Sequence, residues 1–233
     1  MNETPAVGSG STPVSNDPSA TALRGFGPIG ILAILVVLGT QLVLPALAAG
    51  LVLMWAWRSR TGWSTIGFAR PKGWAFVIVG GVLLGVALKL VMKSLVMPLL
   101  GAPPMNPAYH HLIGNAPAAS GLALEVIVIG GFAEETIFRG FLFERLGTLW
   151  GRGTGARIAT LLFTSVYFAA LHYREQGLAG AEQALFTGLV FGVLYLRLGA
   201  LWMPMVAHAA FDLFAIAIIY WDLESTFAHL VFK

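Results

Sequence analysis

Residues 118–150, AASGLALEVIVIGGFAEETIFRGFLFERLGTLW, carry two adjacent glutamates, Glu134 and Glu135, inside a long apolar stretch. A charged side chain at the centre of a bilayer costs at least about 2.5 kcal/mol, and two neighbouring carboxylates also repel each other. A membrane protein keeps such a pair where it faces other protein groups or a water-filled cavity, and the usual reason is function. The stretch therefore predicts a membrane helix that carries a candidate site.

The composition of the chain is that of a membrane protein. Of its 233 residues 57% are hydrophobic and only 11% are charged, against about 25% charged residues in a soluble domain. The apolar residues form long blocks without the alternation of barrel strands, which predicts an all-α, polytopic transmembrane bundle of about six to eight helices. The net charge of +3 is too small for a nucleic-acid surface, and the lack of cysteine excludes thiolate chemistry.

The chain divides into a polar start and one membrane domain. Residues 1–22 are rich in Ser, Thr, Pro and Gly and are predicted to be a disordered tail. Residues 23–233 are predicted to form a single transmembrane domain with its core at about 73–221. The first apolar block, 27–57, is too long for one straight crossing and short for two. We expect one long helix with a kink near Pro45, and a helical hairpin is the alternative.

Cations in the loops predict the orientation of the helices. The loop 58–72 holds four Lys and Arg residues, and arginines follow again at 145–157, whereas 101–117 has neither. The positive-inside rule therefore places the first two segments in the cytoplasm and 101–117 outside. We expect an integral protein of a bacterial inner membrane.

The acid pair contains one acid with a local partner and one without. Glu135 and Arg139 lie four residues apart on one helical face, in the favourable acid-first order. Glu134 has no such partner, which makes it a candidate general base or acid. The alternative is that both acids belong to a satisfied polar network that holds helices together.

Two later apolar blocks each contain a histidine with a partner one turn away. Phe168 precedes His172, and His208 precedes Asp212. The carboxylate of Asp212 is expected to accept a hydrogen bond from one ring nitrogen of His208, which leaves the other nitrogen for substrate, water or metal. A plain interhelical hydrogen bond is the alternative for a lone membrane histidine.

These residues form the motifs EExxxR, FxxxH and HxxxD, in this order on successive apolar helices. Together they resemble the CPBP family, the CAAX protease and bacteriocin-processing family of intramembrane proteases. The segments 66–71, IGFARP, and 201–204, LWMP, are similar to its surrounding sequence, and the resemblance covers about 60–215. The residues that carry the motifs are Glu134, Glu135, Arg139, Phe168, His172, His208 and Asp212.

The resemblance implies an intramembrane endopeptidase that hydrolyses a membrane-associated protein or peptide. It implies that Glu134 and His172 activate water, and that His208 and Asp212 stabilise the tetrahedral oxyanion directly or through a metal. If a zinc ion is present, the resemblance implies Glu134, His172 and His208 as its ligands. Relatives often have Asn where this chain has Asp212, and an ionised Asp cannot donate a hydrogen bond to an oxyanion.

Two other functions are compatible with the same residues. One is a non-catalytic scaffold or immunity protein of the same family. The other is a proton-coupled transporter, because buried Glu and His side chains also build proton relays. The sequence shows no internal repeat, which argues against an inverted-repeat transporter.

Overall fold

A computed structural model describes residues 17–232, and every regular element in this range is a helix. The all-α membrane bundle predicted from the composition is therefore confirmed. Two short 3₁₀ turns, Trp63–Ile66 and Pro107–Leu112, lie in loops. The helices are α1 (Pro18–Arg24), α2 (Pro28–Gln41), α3 (Pro45–Arg58), α4 (Trp74–Leu99), α5 (Ala116–Trp150), α6 (Thr154–Leu198), α7 (Trp202–Tyr220) and α8 (Glu224–Ala228).

Four helices, α4 to α7, are long and apolar enough to cross a membrane, and α1 with α2, bent by 57°, forms a fifth candidate. Helix α6 is interrupted at Gly177, whose backbone has φ 66° and ψ −163°. Gly188 of the second arm faces Ser165 of the first, so the two arms run antiparallel. Each arm has about 20 residues, enough for one crossing. With α6 counted twice, α4 to α7 supply five crossings, and both arms of the hairpin of α2 and α3 would bring the number to seven, within the predicted six to eight.

The first apolar block forms a helical hairpin, and the expected single kinked helix is wrong. The chain reverses at residues 42–44, and Pro45 begins α3 because a first-turn position needs no N–H donor. The two open ends of the hairpin meet, since Arg24 Nη1 donates to the Ser59 carbonyl at 2.8 Å and Trp55 Nε1 donates to the Leu23 carbonyl at 3.0 Å. Each arm has 14 residues, about 21 Å, which is less than the hydrocarbon thickness.

Part of the segment that was predicted to be disordered, residues 1–22, forms a helix. Asp17 caps α1 by accepting a hydrogen bond from the Ser19 backbone N–H at 2.9 Å, and Pro18 occupies the first helical position. Ala20 is completely buried, so this short helix is anchored by packing. The prediction is therefore wrong from residue 17 onwards, and residues 1–16 lie outside the described range.

Hydrogen bonds near the helix ends show which ends lie at the same side of the bundle. The cation-rich segments lie together at one side, as the distribution of Lys and Arg predicted. At one end Arg145 Nη1 donates to the Arg24 carbonyl at 2.7 Å, and the Leu201 N–H donates to the Gly67 carbonyl at 2.9 Å. This end, with loops 59–73, 151–153 and 199–201, is called the cation-rich face. At the other end, the cation-poor face, the Gly114 N–H donates to the Tyr220 carbonyl at 3.0 Å. The hairpin begins and ends at the cation-rich face.

Candidate active site

A cavity of about 960 Å³ lies between the helices and reaches the loop 101–115 at the cation-poor face. The turn of the hairpin, residues 41–47, forms part of its wall. The four side chains that the sequence analysis proposed as catalytic, Glu134, His172, His208 and Asp212, all line this one cavity. Residues from three separate apolar blocks therefore meet at the same space.

Helix α5 widens where it carries the acid pair. Residues 127–134 and 136–142 have π-helical hydrogen bonding, a rare form that is often found at functional sites. Gly130 lies in the first wide segment and faces the carboxylate of Asp212 and the ring of His208 on α7. Only a residue without a side chain allows this close approach. The periodicity of the sequence gave no sign of the wide turns.

Glu135 is the buried centre of an ionic network. Its side chain is fully buried, and its Oε1 atom accepts from Arg139 Nη1 at 2.8 Å, as the spacing predicted. The same oxygen accepts from His208 Nδ1, also at 2.8 Å. Arg139 Nη2 donates to the Gly188 carbonyl at 3.2 Å and thereby connects α5 to the second arm of α6. The network joins three helices.

The hydrogen bond that orients His208 differs from the predicted one. The sequence analysis expected Asp212 to hold the ring, but the carboxylate of Glu135 binds Nδ1, which must carry the proton because an ionised carboxylate only accepts. Asp212 Oδ2 lies 3.5 Å from the opposite nitrogen, Nε2. Sequence spacing could not reveal a partner that lies 73 positions away on another helix.

Glu134 faces the cavity, in contrast to its neighbour. Its side chain is 17% exposed, whereas that of Glu135 is fully buried, and its Oε2 atom lies 3.7 Å from His208 Nε2. Within the described residues its carboxylate has no hydrogen-bond donor at short range. Glu134 is therefore the acid of the pair that can reach a water molecule or a substrate.

Phe168 supports the two histidines. His172 Nδ1 donates to the Phe168 carbonyl at 2.9 Å, in the tautomer that leaves Nε2 unprotonated and available to the cavity. The ring of Phe168 lies 4.4 Å from the His172 ring and 5.9 Å from the His208 ring, measured between centroids. The guanidinium of Arg139 lies 5.1 Å above the same ring. Phe168 thus packs against both imidazoles and the buried cation.

The implied zinc site does not fit this arrangement. Over residues 17–232, no three His, Asp or Glu side chains are arranged so that they could share one metal ion. At His208 only Nε2 is open to a ligand, because Nδ1 donates to Glu135, and the carboxylates of Glu134 and Asp212 lie 3.7 and 3.5 Å from this Nε2 atom. The predicted ligand set of Glu134, His172 and His208 is therefore not supported by the geometry, and no reaction step is assigned to a metal.

Other polar residues of the cavity were not recognised in the sequence. Lys89 is buried beside the site, where its ammonium donates to Gln183 Oε1 at 3.0 Å. Tyr109 lies near the cation-poor face, and burial, together with nearby carboxylates, raises the pKa of its phenol, so it stays a neutral hydroxyl. An apolar helix gives no periodic signal for such single polar positions, which is why only tertiary structure assigns them to the cavity.

The segment that carries these residues is similar to known proteins. Residues 117–214 match the family model described as type II CAAX prenyl endopeptidase Rce1-like. A protein of Escherichia coli, described as an uncharacterized 24.3 kDa protein, is 29% identical over 136 residues, which cover 58% of this chain and 55% of that relative. This chain thus aligns with about half the length of its relative. No solved structure matches it. This match confirms the resemblance to the CPBP family over residues 117–214.

Proposed function

We propose that the protein is an intramembrane endopeptidase in which Glu134 acts as the general base. The observation that carries this proposal is the position of the Glu134 carboxylate. It has no close hydrogen-bond donor among the described residues, faces a cavity, and lies 3.7 Å from His208 Nε2. The residues around it lie within the segment that matches a CAAX prenyl endopeptidase model. A carboxylate that is satisfied only structurally would be paired, as Glu135 is.

In the first step Glu134 and His172 hold the attacking water. The Glu134 carboxylate accepts one hydrogen of the water, and His172 Nε2 accepts the other because its Nδ1 carries the ring proton. The water oxygen then has a lone pair free for the carbonyl carbon of the scissile peptide bond. As that bond forms, the proton passes to Glu134, which acts as a general base.

His208 stabilises the negative charge that develops on the carbonyl oxygen. Carboxylates of Glu134, Glu135 and Asp212 lie within 4 Å of its two ring nitrogens and can accept hydrogen bonds from both. With Nδ1 donating to Glu135, the proton on Nε2 points into the cavity and binds the oxyanion. Loss of one such donor typically lowers kcat by about 10² to 10³. Asp212 holds this proton until the oxyanion replaces it.

The second step returns the proton and releases the products. The tetrahedral intermediate collapses, the bond between carbon and nitrogen breaks, and Glu134 transfers its proton to the leaving amine. One water is consumed, and a carboxylate and an amine are formed, so the step needs no other reactant. The buried Glu135–Arg139 pair keeps His208 in position throughout, because neither side chain changes its charge.

The proposed substrate is a membrane-associated protein or peptide, and the proposed location is a bacterial inner membrane. The catalytic groups lie in a cavity between apolar helices, so a scissile bond has to enter from the bilayer or from the cation-poor face. A peptide bond in hydrocarbon normally keeps its hydrogen bonds within a helix. A substrate segment must therefore unwind inside the cavity before attack.

Hydrolysis in water labelled with heavy oxygen tests this function. The purified full chain, reconstituted in lipid, is incubated with a mixture of synthetic membrane-associated peptides, and the products are analysed by mass spectrometry. We expect heavy oxygen in each newly formed carboxylate. The variant Glu134→Gln keeps the shape of the side chain but removes the base, and should lose activity by at least about 10² while its melting temperature is retained.

Glu182→Gln is the matched control, because Glu182 is a half-buried glutamate of α6 that does not line the cavity. It should cleave as the wild type does. Full activity of Glu134→Gln would refute the assigned base. Absence of labelled products from the wild type would instead favour a non-catalytic scaffold.

A further inference from the structure

Lys89 is a buried cation that the proposed mechanism does not use. It lies on α4, its side chain lines the cavity, and only 8% of the residue is exposed. Burying an ammonium group is costly unless a partner compensates the charge. No carboxylate oxygen of the described residues lies within 4 Å of its nitrogen, although Lys93 on the same helix forms such a pair with Glu224 at 2.8 Å.

The contacts of Lys89 leave part of its hydrogen-bonding capacity unused. An ammonium group has three donors, and within residues 17–232 Lys89 makes one hydrogen bond, to Gln183 Oε1 at 3.0 Å. The face of the Phe211 ring lies 4.7 Å from the nitrogen and supplies a weak attraction. Neither an amide nor an aromatic ring neutralises a full charge. The ammonium therefore has N–H donors left to bind an anion that enters the cavity.

The position of Lys89 places this anion close to the reacting groups. Helices α4 and α7 run side by side, and Gly85 faces Ala207 and Phe211 across the interface. Lys89 is one turn further along α4, so its ammonium lies at the level of Phe211, the neighbour of Asp212. This level is on the side of the cation-poor face relative to His208.

We propose that Lys89, held by Gln183 and Phe211, binds a carboxylate of the peptide substrate and thereby selects acidic substrates. This inference rests on the proposed function, which makes the ligand a peptide. A peptide carries two kinds of carboxylate. One is its own C-terminus, and the other is an Asp or Glu side chain near the scissile bond. In both cases the ammonium and the carboxylate form a charge-assisted hydrogen bond, which is about twice as strong as a bond between neutral groups.

Binding to an inactive protein tests the subsite without any need for turnover. Fluorescent peptides are titrated onto the Glu134→Gln protein in lipid and onto the double variant Glu134→Gln with Lys89→Met. Each peptide is made with a terminal acid or a terminal amide, and with Asp or Asn beside the cleavage position. For one of the two pairs, we expect the acidic member to bind at least about ten-fold more tightly, the factor expected for a charge-assisted hydrogen bond.

The pair that shows the preference identifies the source of the carboxylate. In the Lys89→Met background that preference should fall to about two-fold or less, and Lys89→Arg should restore part of it by charge. Lys72→Met is the control, since Lys72 is exposed, lies outside the cavity and carries the same charge. It should leave the preference unchanged.

Two results would overturn the proposal. One is equal binding of acidic and neutral peptides to the Glu134→Gln protein. The other is a preference that survives Lys89→Met. If the peptides bind with the expected preference but the wild type cleaves none of them, the endopeptidase assignment fails while the carboxylate subsite stands. The two proposals can therefore fail separately.

Discussion

The imidazole of His208 is held by Glu135, whose Oε1 atom lies 2.8 Å from Nδ1. The same oxygen binds Arg139 Nη1 at the same distance, so one carboxylate atom connects a cation on its own helix to a histidine on α7. The second oxygen of Glu135 is buried and has no hydrogen-bond partner among the residues that the structure describes. The two adjacent glutamates thus have different surroundings: Glu135 is enclosed within the ionic network, while Glu134 faces the cavity.

The first prediction is that Glu135 and Arg139 are energetically coupled. Removing one partner of a buried ion pair leaves the other charge uncompensated, which typically costs about 3–5 kcal/mol. Glu135→Ala and Arg139→Ala should each lower the melting temperature in detergent more than Glu134→Gln does. The double variant should show a coupling energy of at least about 1 kcal/mol in a thermodynamic cycle. Purely additive losses would mean that the two side chains do not interact.

The second prediction concerns the close approach of α5 and α7. A methyl group at Gly130 would lie 2.9 Å from Asp212 Oδ2 and 3.5 Å from His208 Nε2. Gly130→Ala should therefore displace the Asp212 carboxylate and lower kcat by about ten-fold or more, since errors of about 1 Å in catalytic geometry have large effects. The measurement is kcat on a cleaved peptide, with the melting temperature as a check on folding.

Gly121→Ala is the control for this substitution. Gly121 lies on the same helix, and a methyl group there would have no heavy atom within 4 Å. Alanine favours the helix over glycine, so this variant should be as stable as the wild type and fully active. If Gly130→Ala is equally active, the contact between the two helices is looser than the distances indicate.

Local spacing predicted the ion pair of Glu135 and Arg139, whereas tertiary contacts decided which carboxylate orients His208. The i to i+4 spacing of Glu135 and Arg139 was sufficient because a regular turn brings such residues together. The bond between Glu135 and His208 depends on how α5 and α7 pack, and no local pattern contains that information. The hairpin was misjudged for a related reason. An apolar block with a proline in its middle is compatible with a kink or a reversal, and the contacts of Arg24 with Ser59 and of Trp55 with Leu23 distinguish them.

The third prediction separates the charge of Asp212 from its ability to hydrogen-bond. Asp212 Oδ2 lies 3.5 Å from His208 Nε2. Asp212→Asn keeps an acceptor for this nitrogen and adds a donor that can reach an oxyanion, so kcat should stay within about ten-fold of the wild type. Leucine has a similar size but can neither accept nor donate a hydrogen bond, so Asp212→Leu should lower kcat by about 10²-fold. If both variants are equally inactive, the negative charge itself is required.

The last prediction is that activity does not depend on a bound metal. Catalytic zinc needs three protein ligands directed at one point. Over the described part of the chain no such group exists. A chelator should therefore leave peptide cleavage by the purified protein unchanged, and elemental analysis should find less than about 0.1 zinc per chain. His208→Ala should abolish activity without altering the metal content. One zinc per active molecule, lost together with activity and restored by added zinc, would show that the site rearranges around a metal and that the metal-free mechanism is wrong.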